Sequence, residues 1–168
     1  MAASRDAIFA AIAQTRRAPD PVESFAGPAI SFADPAAAFG AALAAAGGEL
    51  AMLRDRAELE VELAAAGADT IVLAGGPAVA ESGAVWWVPR SEDERRAAFL
   101  AERVWLVVAR DQLVDDLHAA YRRIDPAAAH YGCFMAGPSK TADIEQALVI
   151  GAHGPRALRV LLWGGGRV

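Results

Sequence analysis

The chain of 168 residues has a formal net charge of −5 and a single cysteine, Cys133. This length fits one domain with a substantial core, and the acidic balance argues against a nucleic-acid-binding protein, because phosphate binding needs clustered Lys and Arg. One cysteine cannot form an internal disulfide or hold an iron–sulfur cluster, and no apolar run is long enough to span a bilayer. Since no convincing export signal is present either, we expect a cytoplasmic protein with no metal or cofactor of its own.

The N-terminal part of the chain shows a helical pattern followed by clear breaks. An amphipathic helix is predicted over 4–17, and a Pro-rich connecting segment follows it, so that residues 1–30 precede the main body of the fold. Asp34 and Pro35 predict the start of a second helix, because Asp is a favoured N-cap and Pro fits the first helical position. Gly47-Gly48 predicts its end.

Short apolar segments and helical segments then alternate to the end of the chain. The predicted elements are strand 50–53, helix 55–65, strand 70–73, two strand pieces around a turn within 79–88, helix 91–102, strand 104–109, helix 111–124, and strands 131–135 and 158–163. Within these elements Asp115 and Asp116 are interpreted as solvated helix charges, and Trp86 and Trp87 as core side chains on opposite faces of a sheet. The alternation predicts one α/β domain over 1–168, with a largely parallel sheet covered on both faces.

The densest cluster of glycines and polar residues follows the predicted strand 131–135. It reads Gly-Pro-Ser-Lys-Thr-Ala-Asp-Ile-Glu over 137–145 and contains Lys140, the only lysine beside fifteen arginines. If this segment opens a short helix, its amides and the ammonium group form an anion site; the alternative is a capped turn with a solvated lysine. The segment is a poor match to a phosphate-binding P-loop, because Pro138 and Ser139 separate Lys140 from the glycine.

Two further clusters contain groups that can transfer protons. His153 lies in Gly-Ala-His-Gly-Pro over 151–155, where it can contact a substrate or simply bond a backbone carbonyl in a turn. Glu81 lies in Glu-Ser-Gly over 81–83, between apolar strand pieces, and is either paired and used or an exposed turn residue. No set of His and Cys has the spacing of metal ligands, and no Gly-x-Gly-x-x-Gly fingerprint is present.

Together these clusters resemble the LUD domain of the lactate utilization protein C family. The resemblance rests on 137–145, on 151–155, on Ala-Glu-Ser-Gly over 80–83, which has Ser where the family has Thr, and on 39–53. It implies a NagB/RpiA/CoA-transferase-like fold, a three-layer α/β/α sandwich. It also implies a role beside two iron–sulfur partner proteins in oxidising L-lactate to pyruvate.

The resemblance favours a functional interpretation of all three clusters. We expect them to meet at the carboxyl edge of the sheet, where ligands of open α/β sheets lie, and to bind a small carboxylate or other anion. Glu81 or His153 would transfer protons. The expected contact residues are Ser82, Gly83, Gly137, Pro138, Ser139, Lys140, Thr141, Asp143, Glu145 and Gly154.

The electrons of lactate oxidation need a cofactor that this sequence does not provide, so iron–sulfur clusters are expected on partner subunits. Two other functions stay open. One is a stand-alone acyl- or CoA-transferase-like enzyme in which Glu81 acts as a covalent carboxylate. The other is a non-catalytic assembly module that senses a carboxylate. A homo-oligomer also stays open.

Overall fold

The computed structural model describes residues 2–15, 29–125, 128–141 and 148–164. Among these residues, no helix has the length and apolar character needed to cross a membrane. The elements are α1 Ala2–Gln14, α2 Pro35–Ala45, β1 Glu49–Leu53, α3 Arg56–Ala64, β2 Thr70–Ala74, β3 Ala78–Val79, β4 Ala84–Trp87, α4 Glu92–Leu100, β5 Arg103–Ala109, β6 Leu113–Val114, α5 Leu117–Tyr121, β7 Cys133–Met135, β8 Lys140–Thr141, β9 Val149–Ile150 and β10 Ala157–Trp163.

A four-stranded parallel sheet forms the centre of the protein. Its strand order is β1-β10-β5-β2, and every neighbouring pair is parallel. The two middle strands, β5 and β10, are seven residues long and are apolar at most positions, as expected for strands covered on both faces. The predicted α/β class with a largely parallel sheet is therefore confirmed.

Different elements cover the two faces of this sheet. On one face α3 packs through Leu59 against Val107 and Leu161. On the other face α2 inserts Phe39 and Leu43, and α4 and β4 complete the larger core. The strands are thus buried between two layers.

A second, mixed sheet of order β6-β3-β4-β7 packs beside the first. β4 is antiparallel to both β3 and β7, and β6 is parallel to β3. The turn between β3 and β4 contains Glu81, as the prediction of two strand pieces requires. On this sheet Val79, Val114 and Ala120 form a small core of their own with α5.

The predicted helix over 111–124 is wrong in its first part, where Arg110–Gln112 forms a short 3-10 helical turn and Leu113–Val114 forms a strand. Leu113 and Val114 pair with β3, and α5 begins only at Leu117. The Asp116 side chain accepts a hydrogen bond from Ala119 N at 2.6 Å and so caps α5. Asp116 is only 5% exposed, which corrects its interpretation as a solvated charge.

Lys140 and Thr141, at the start of the predicted short helix, also differ from their prediction. Lys140 pairs with Ile150 and Thr141 with Val149, so the described residues form an antiparallel β-hairpin instead of opening a helix. Residues 142–147 lie outside the described part of the chain, as do most of the Pro-rich segment and residues 16–17 of the first predicted helix.

Truncating the centre of the main sheet tests this packing. Leu106 in β5 is 0% exposed, whereas Leu100 at the end of α4 is 78% exposed. We expect Leu106→Ala to lower the free energy of unfolding by about 2–5 kcal/mol, since it removes buried methyl groups and leaves a cavity. Leu100→Ala, the matched control, should change it by less than about 0.5 kcal/mol. Urea unfolding measures both, and equal losses would contradict the burial described.

Candidate functional site

The turn that contains Glu81 packs directly on the backbone of α2. Gly83 has a φ of 67°. A Cβ atom at this position would lie 2.3 Å from Leu43 N and 2.8 Å from the carbonyl carbon of Ala42. Only glycine combines this backbone conformation with so close an approach, so Gly83 is explained by packing.

Gly137 approaches the same helix near its C-terminal end. It has a φ of 71°, and a Cβ atom there would lie 2.1 Å from the carbonyl oxygen of Ala46. Leu43 and Ala46 are three residues apart and therefore neighbours on the surface of α2. Two motifs that are far apart in sequence thus meet on the C-terminal half of α2.

Lys140 binds the C-terminal end of α2. Its Nζ donates a hydrogen bond to the carbonyl oxygen of Ala46. Gly47 has a φ of 83°, and Gly48 N donates to Leu43 O at 2.9 Å, so the helix ends in a Schellman turn as its sequence predicts. An ammonium group is favourable at this negative end of the helix dipole. Lys140 therefore has a structural partner, and this bond uses one of its three donors.

Ser139 brings the segments 137–141 and 151–155 together. Its amide donates to Pro155 O at 2.8 Å, and its carbonyl oxygen accepts from Gly151 N at 2.9 Å. A Cβ atom at Gly154 would lie 3.1 Å from Ser139 Oγ. Since the Ser139 amide is used within the protein, it is not a free helix-terminal donor for an anion.

A cavity of about 200 Å³ opens between these segments. His153 is exposed and lines it together with Ser139 and the apolar side chains of Phe99, Met135 and Leu158. The other residues lining this cavity are Gly137, Pro138, Gly154 and Pro155. The structure therefore joins two of the three predicted clusters around a small cavity.

This cavity lies at the amino edge of the central sheet. β10 begins two residues after Pro155, and Arg156 N and Ala157 N donate to Glu102 O, just before β5 begins. Lys140 binds α2 at Ala46, shortly before β1 begins. The expected position of these two clusters at the carboxyl edge is therefore wrong, because the hairpin β8–β9 leads back to the start of β10.

Glu81 occupies a different environment. It is exposed, and its Oε1 accepts a hydrogen bond from Leu117 N at 2.7 Å, at the first residue of α5. The residues that line the His153 cavity do not include Glu81. Ser82 is exposed beside it in the same turn, and Thr141 is half-buried in β8. Asp143 and Glu145 lie outside the described residues.

Tyr131 is a neighbour of the His153 cavity that the sequence did not single out. Its ring makes edge contacts with Phe99 and Trp87, each at 6.4 Å between centroids, and the Arg95 guanidinium lies 5.2 Å from its centroid. Burial, and to a smaller extent a hydrogen bond with Cys133, together raise the pKa of Tyr131 from its ordinary value near 10 to about 12. The i, i+2 spacing of Tyr131 and Cys133 was a signal that both lie on one face.

A larger cavity lies at the carboxyl edge of the central sheet, where no site residue was predicted. It measures about 360 Å³ and is lined by the ends of β2 and β5 and by Gly75-Gly76, Trp86 and Arg123. The glycine pair that directly follows a strand was the sequence signal for it. Among the described residues, no three His, Cys, Asp or Glu side chains are arranged to hold a metal ion.

Adding a methyl group at Gly83 tests its contact with α2. We expect Gly83→Ala to lower the free energy of unfolding by more than about 1 kcal/mol, because the positive φ and the helix backbone both oppose a Cβ atom. Gly67→Ala is the control, since the nearest atom to a Cβ there is Arg103 Nη1 at 3.9 Å. Urea unfolding compares the two, and an unchanged Gly83→Ala protein would contradict this packing.

The raised pKa of Tyr131 predicts a loss of stability in alkali. The folded protein holds the phenolic proton more tightly than the unfolded chain, so this contribution is complete below about pH 10 and is lost as the pH approaches 12. Tyr131→Phe should therefore flatten the decline of the free energy of unfolding between pH 10 and about 12, measured with urea. Tyr121→Phe, which alters the other tyrosine, should show the same decline as the wild type. An equally steep decline in Tyr131→Phe would contradict the assignment.

The chain is similar to curated proteins and to a solved structure. Lactate utilization protein C of Geobacillus thermodenitrificans is 36% identical over 83 residues, which cover 46% of this chain and 35% of that protein. The protein of the same name from Deinococcus radiodurans is 32% identical over 101 residues, covering 58% of this chain and 47% of that protein. The chain thus spans less than half the length of these relatives.

The fold is similar to that of a DUF162 family protein from Deinococcus radiodurans, known from a crystal structure. The two share a TM-score of 0.60 and 18% sequence identity, and the alignment covers 81% of this chain and all of the other. The model of the LUD domain family matches residues 36–163, from α2 to the end of β10. The chain therefore belongs to the LUD domain family.

Proposed function

We propose that this chain is a component of a lactate-utilization system that oxidises L-lactate to pyruvate together with iron–sulfur partner proteins. The observation that supports it most is the LUD domain over 36–163, since the curated relatives of this domain are named for lactate utilization. The packing of the motifs 81–83 and 137–141 supports the proposal as well, because both motifs, which resemble those of the family, contact the same helix, α2.

The redox chemistry explains why partners belong to the proposal. Converting a 2-hydroxy acid to a 2-oxo acid removes two protons and two electrons, and the electrons need a cofactor as acceptor. The sequence has one cysteine, too few for the thiolate ligands of a cluster. We therefore place the iron–sulfur clusters on partner subunits and expect neither iron nor flavin in the purified chain.

The cavity beside His153 is the proposed contact site for lactate. Its volume of about 200 Å³ accommodates a three-carbon acid. A neutral His153 can accept the hydroxyl proton of lactate, and a protonated His153 can bind its carboxylate. Lys140 lies on the neighbouring strand β8 and adds positive charge to this edge of the sheet. Glu81, with one carboxylate oxygen engaged at α5, is proposed as a second proton-transfer group.

Growth on L-lactate tests this function. In a host without another lactate dehydrogenase, deletion of the gene should abolish growth on L-lactate as sole carbon source, and the wild-type gene should restore it. His153→Ala and Glu81→Gln should each restore growth poorly. The matched controls, His130→Ala and Glu60→Gln, alter exposed residues that do not line the cavity, and they should restore growth fully.

Three outcomes would change the proposal. Normal growth of the deletion strain would contradict the lactate function. Full rescue by both His153→Ala and Glu81→Gln would show a non-catalytic component of the system. Stoichiometric iron or flavin in the purified protein, from elemental analysis and its absorbance spectrum, would contradict the placement of the cofactors on partners.

A further inference from the structure

The 360 Å³ cavity at the carboxyl edge has the position and size of a ligand site. It opens where β2 ends at Ala74 and where β5 ends at Ala109. Ligands of parallel α/β sheets bind outside the carboxyl ends of the strands, in cavities of roughly 300–1,000 Å³. The His153 cavity lies at the opposite edge of the same sheet, so the two are separate sites.

Gly75 and Gly76, which line this cavity and lie in the connection between β2 and β3, are hydrogen-bonded to both sheets. Gly75 N donates to Val107 O at 2.8 Å, and Gly76 N donates to Trp86 O at 2.7 Å. A Cβ atom at Gly75 would lie 2.7 Å from the side chain of Val108, so the backbone fits tightly at this point. Because these bonds hold the connection in place, the cavity is formed before any ligand arrives.

Trp86 lines the cavity, and neighbouring groups pack against its indole. Its indole lies 5.0 Å from the Phe134 ring between centroids, and Phe134 lies 5.8 Å from the Tyr121 ring. A Cβ atom at Gly132 would lie 2.4 Å from Trp86 Cζ2, so the glycine backbone also packs against the indole. These contacts fix the ring, which corrects the expectation that Trp86 serves the core alone.

Arg123 is the one charged side chain among the described residues that line this cavity. Its Nη1 donates to the carbonyl oxygen of Asp111 at 2.7 Å, which holds the guanidinium at the rim. A guanidinium has five N–H donors in a planar fork that matches a carboxylate. The side-chain amide of Gln112 adds a further polar group to the lining.

The charges and the apolar lining together define the class of ligand. The single arginine balances one negative charge of a ligand. The Asp111 carboxylate, whose Oδ1 lies 3.4 Å from Gln112 Nε2, disfavours a ligand that carries a second negative charge. Val88, Val107 and Ile124 line the cavity beside Trp86. We propose that this cavity binds a monocarboxylate with a planar apolar body, whose carboxylate pairs with Arg123 and whose ring stacks on Trp86.

Calorimetric titration with benzoate, and the shift it causes in the melting temperature, test this site. Benzoate should bind saturably to the wild type and raise its melting temperature. Arg123→Gln should weaken binding about tenfold to a hundredfold, because it removes a charge-assisted pair. Arg122→Gln is the matched control: it removes the same charge from the neighbouring exposed residue outside the lining and should bind like the wild type. Benzamide, the neutral analogue, and inorganic phosphate should bind at least tenfold more weakly than benzoate.

Two more variants locate the bound benzoate. Ala74→Leu, at an exposed position in the lining, should narrow the cavity and weaken binding with little effect on folding. His153→Ala should leave the affinity unchanged, which separates this site from the one proposed for lactate. The proposal is overturned if benzoate does not bind the wild type or if Arg123→Gln binds benzoate as tightly as the wild type. It is also overturned if Arg122→Gln loses as much affinity for benzoate as Arg123→Gln, or if benzamide or phosphate binds as tightly as benzoate. Unchanged affinity in Ala74→Leu or loss of binding in His153→Ala would also overturn it.

Discussion

The close approach of backbone segments to the C-terminal half of α2 is the constraint on which the rest of the structure depends. The turn at Gly83 and the segment at Gly137 both lie against this helix, at distances that leave no room for a Cβ atom. The helix has the sequence Pro-Ala-Ala-Ala-Phe-Gly-Ala-Ala-Leu-Ala-Ala, so small side chains allow this approach while Phe39 and Leu43 still fill the core. Helix, central sheet and second sheet are thereby held in one arrangement.

Several residues of the motifs at 80–83 and 137–145 therefore have structural roles that do not depend on a reaction. Gly83 and Gly137 permit packing, Lys140 binds the end of α2, and the Ser139 backbone joins two segments of chain. Loss of function after changing such residues reports on folding as much as on reaction. His153 differs because its side chain is exposed at a cavity. It is therefore the position at which a change of chemistry is best separated from a change of stability.

The features that the sequence predicted well depend on local interactions. Asp34 and Ser91 cap α2 and α4 with their own side chains, and the apolar runs of β5 and β10 are long enough to indicate buried strands. The helix predicted over 111–124 failed because Leu113, Leu117 and Tyr121 have helical spacing, whereas Leu113 in fact pairs with β3. That pairing joins segments far apart in sequence, and periodicity holds no information about it. The clusters at 137–145 and 151–155 were predicted at the wrong edge of the sheet for the same reason. Their position depends on the pairing of β8 with β9 and on the contacts near the start of β10, which are tertiary interactions.

The two edges of the central sheet have different chemistry, and the length of its strands separates them. β5 and β10 span seven residues each, which corresponds to about 23 Å at about 3.3 Å per residue. The Debye length at physiological ionic strength is about 8 Å, so the charge of Arg123 has little direct effect on His153 across this distance. Ligands at the two edges would therefore influence each other through the packing of β5 and β10 rather than through their charges. Those strands lie at the centre of the core and pair along their whole length, so their packing has little freedom to change, and we expect the two proposed sites to bind independently.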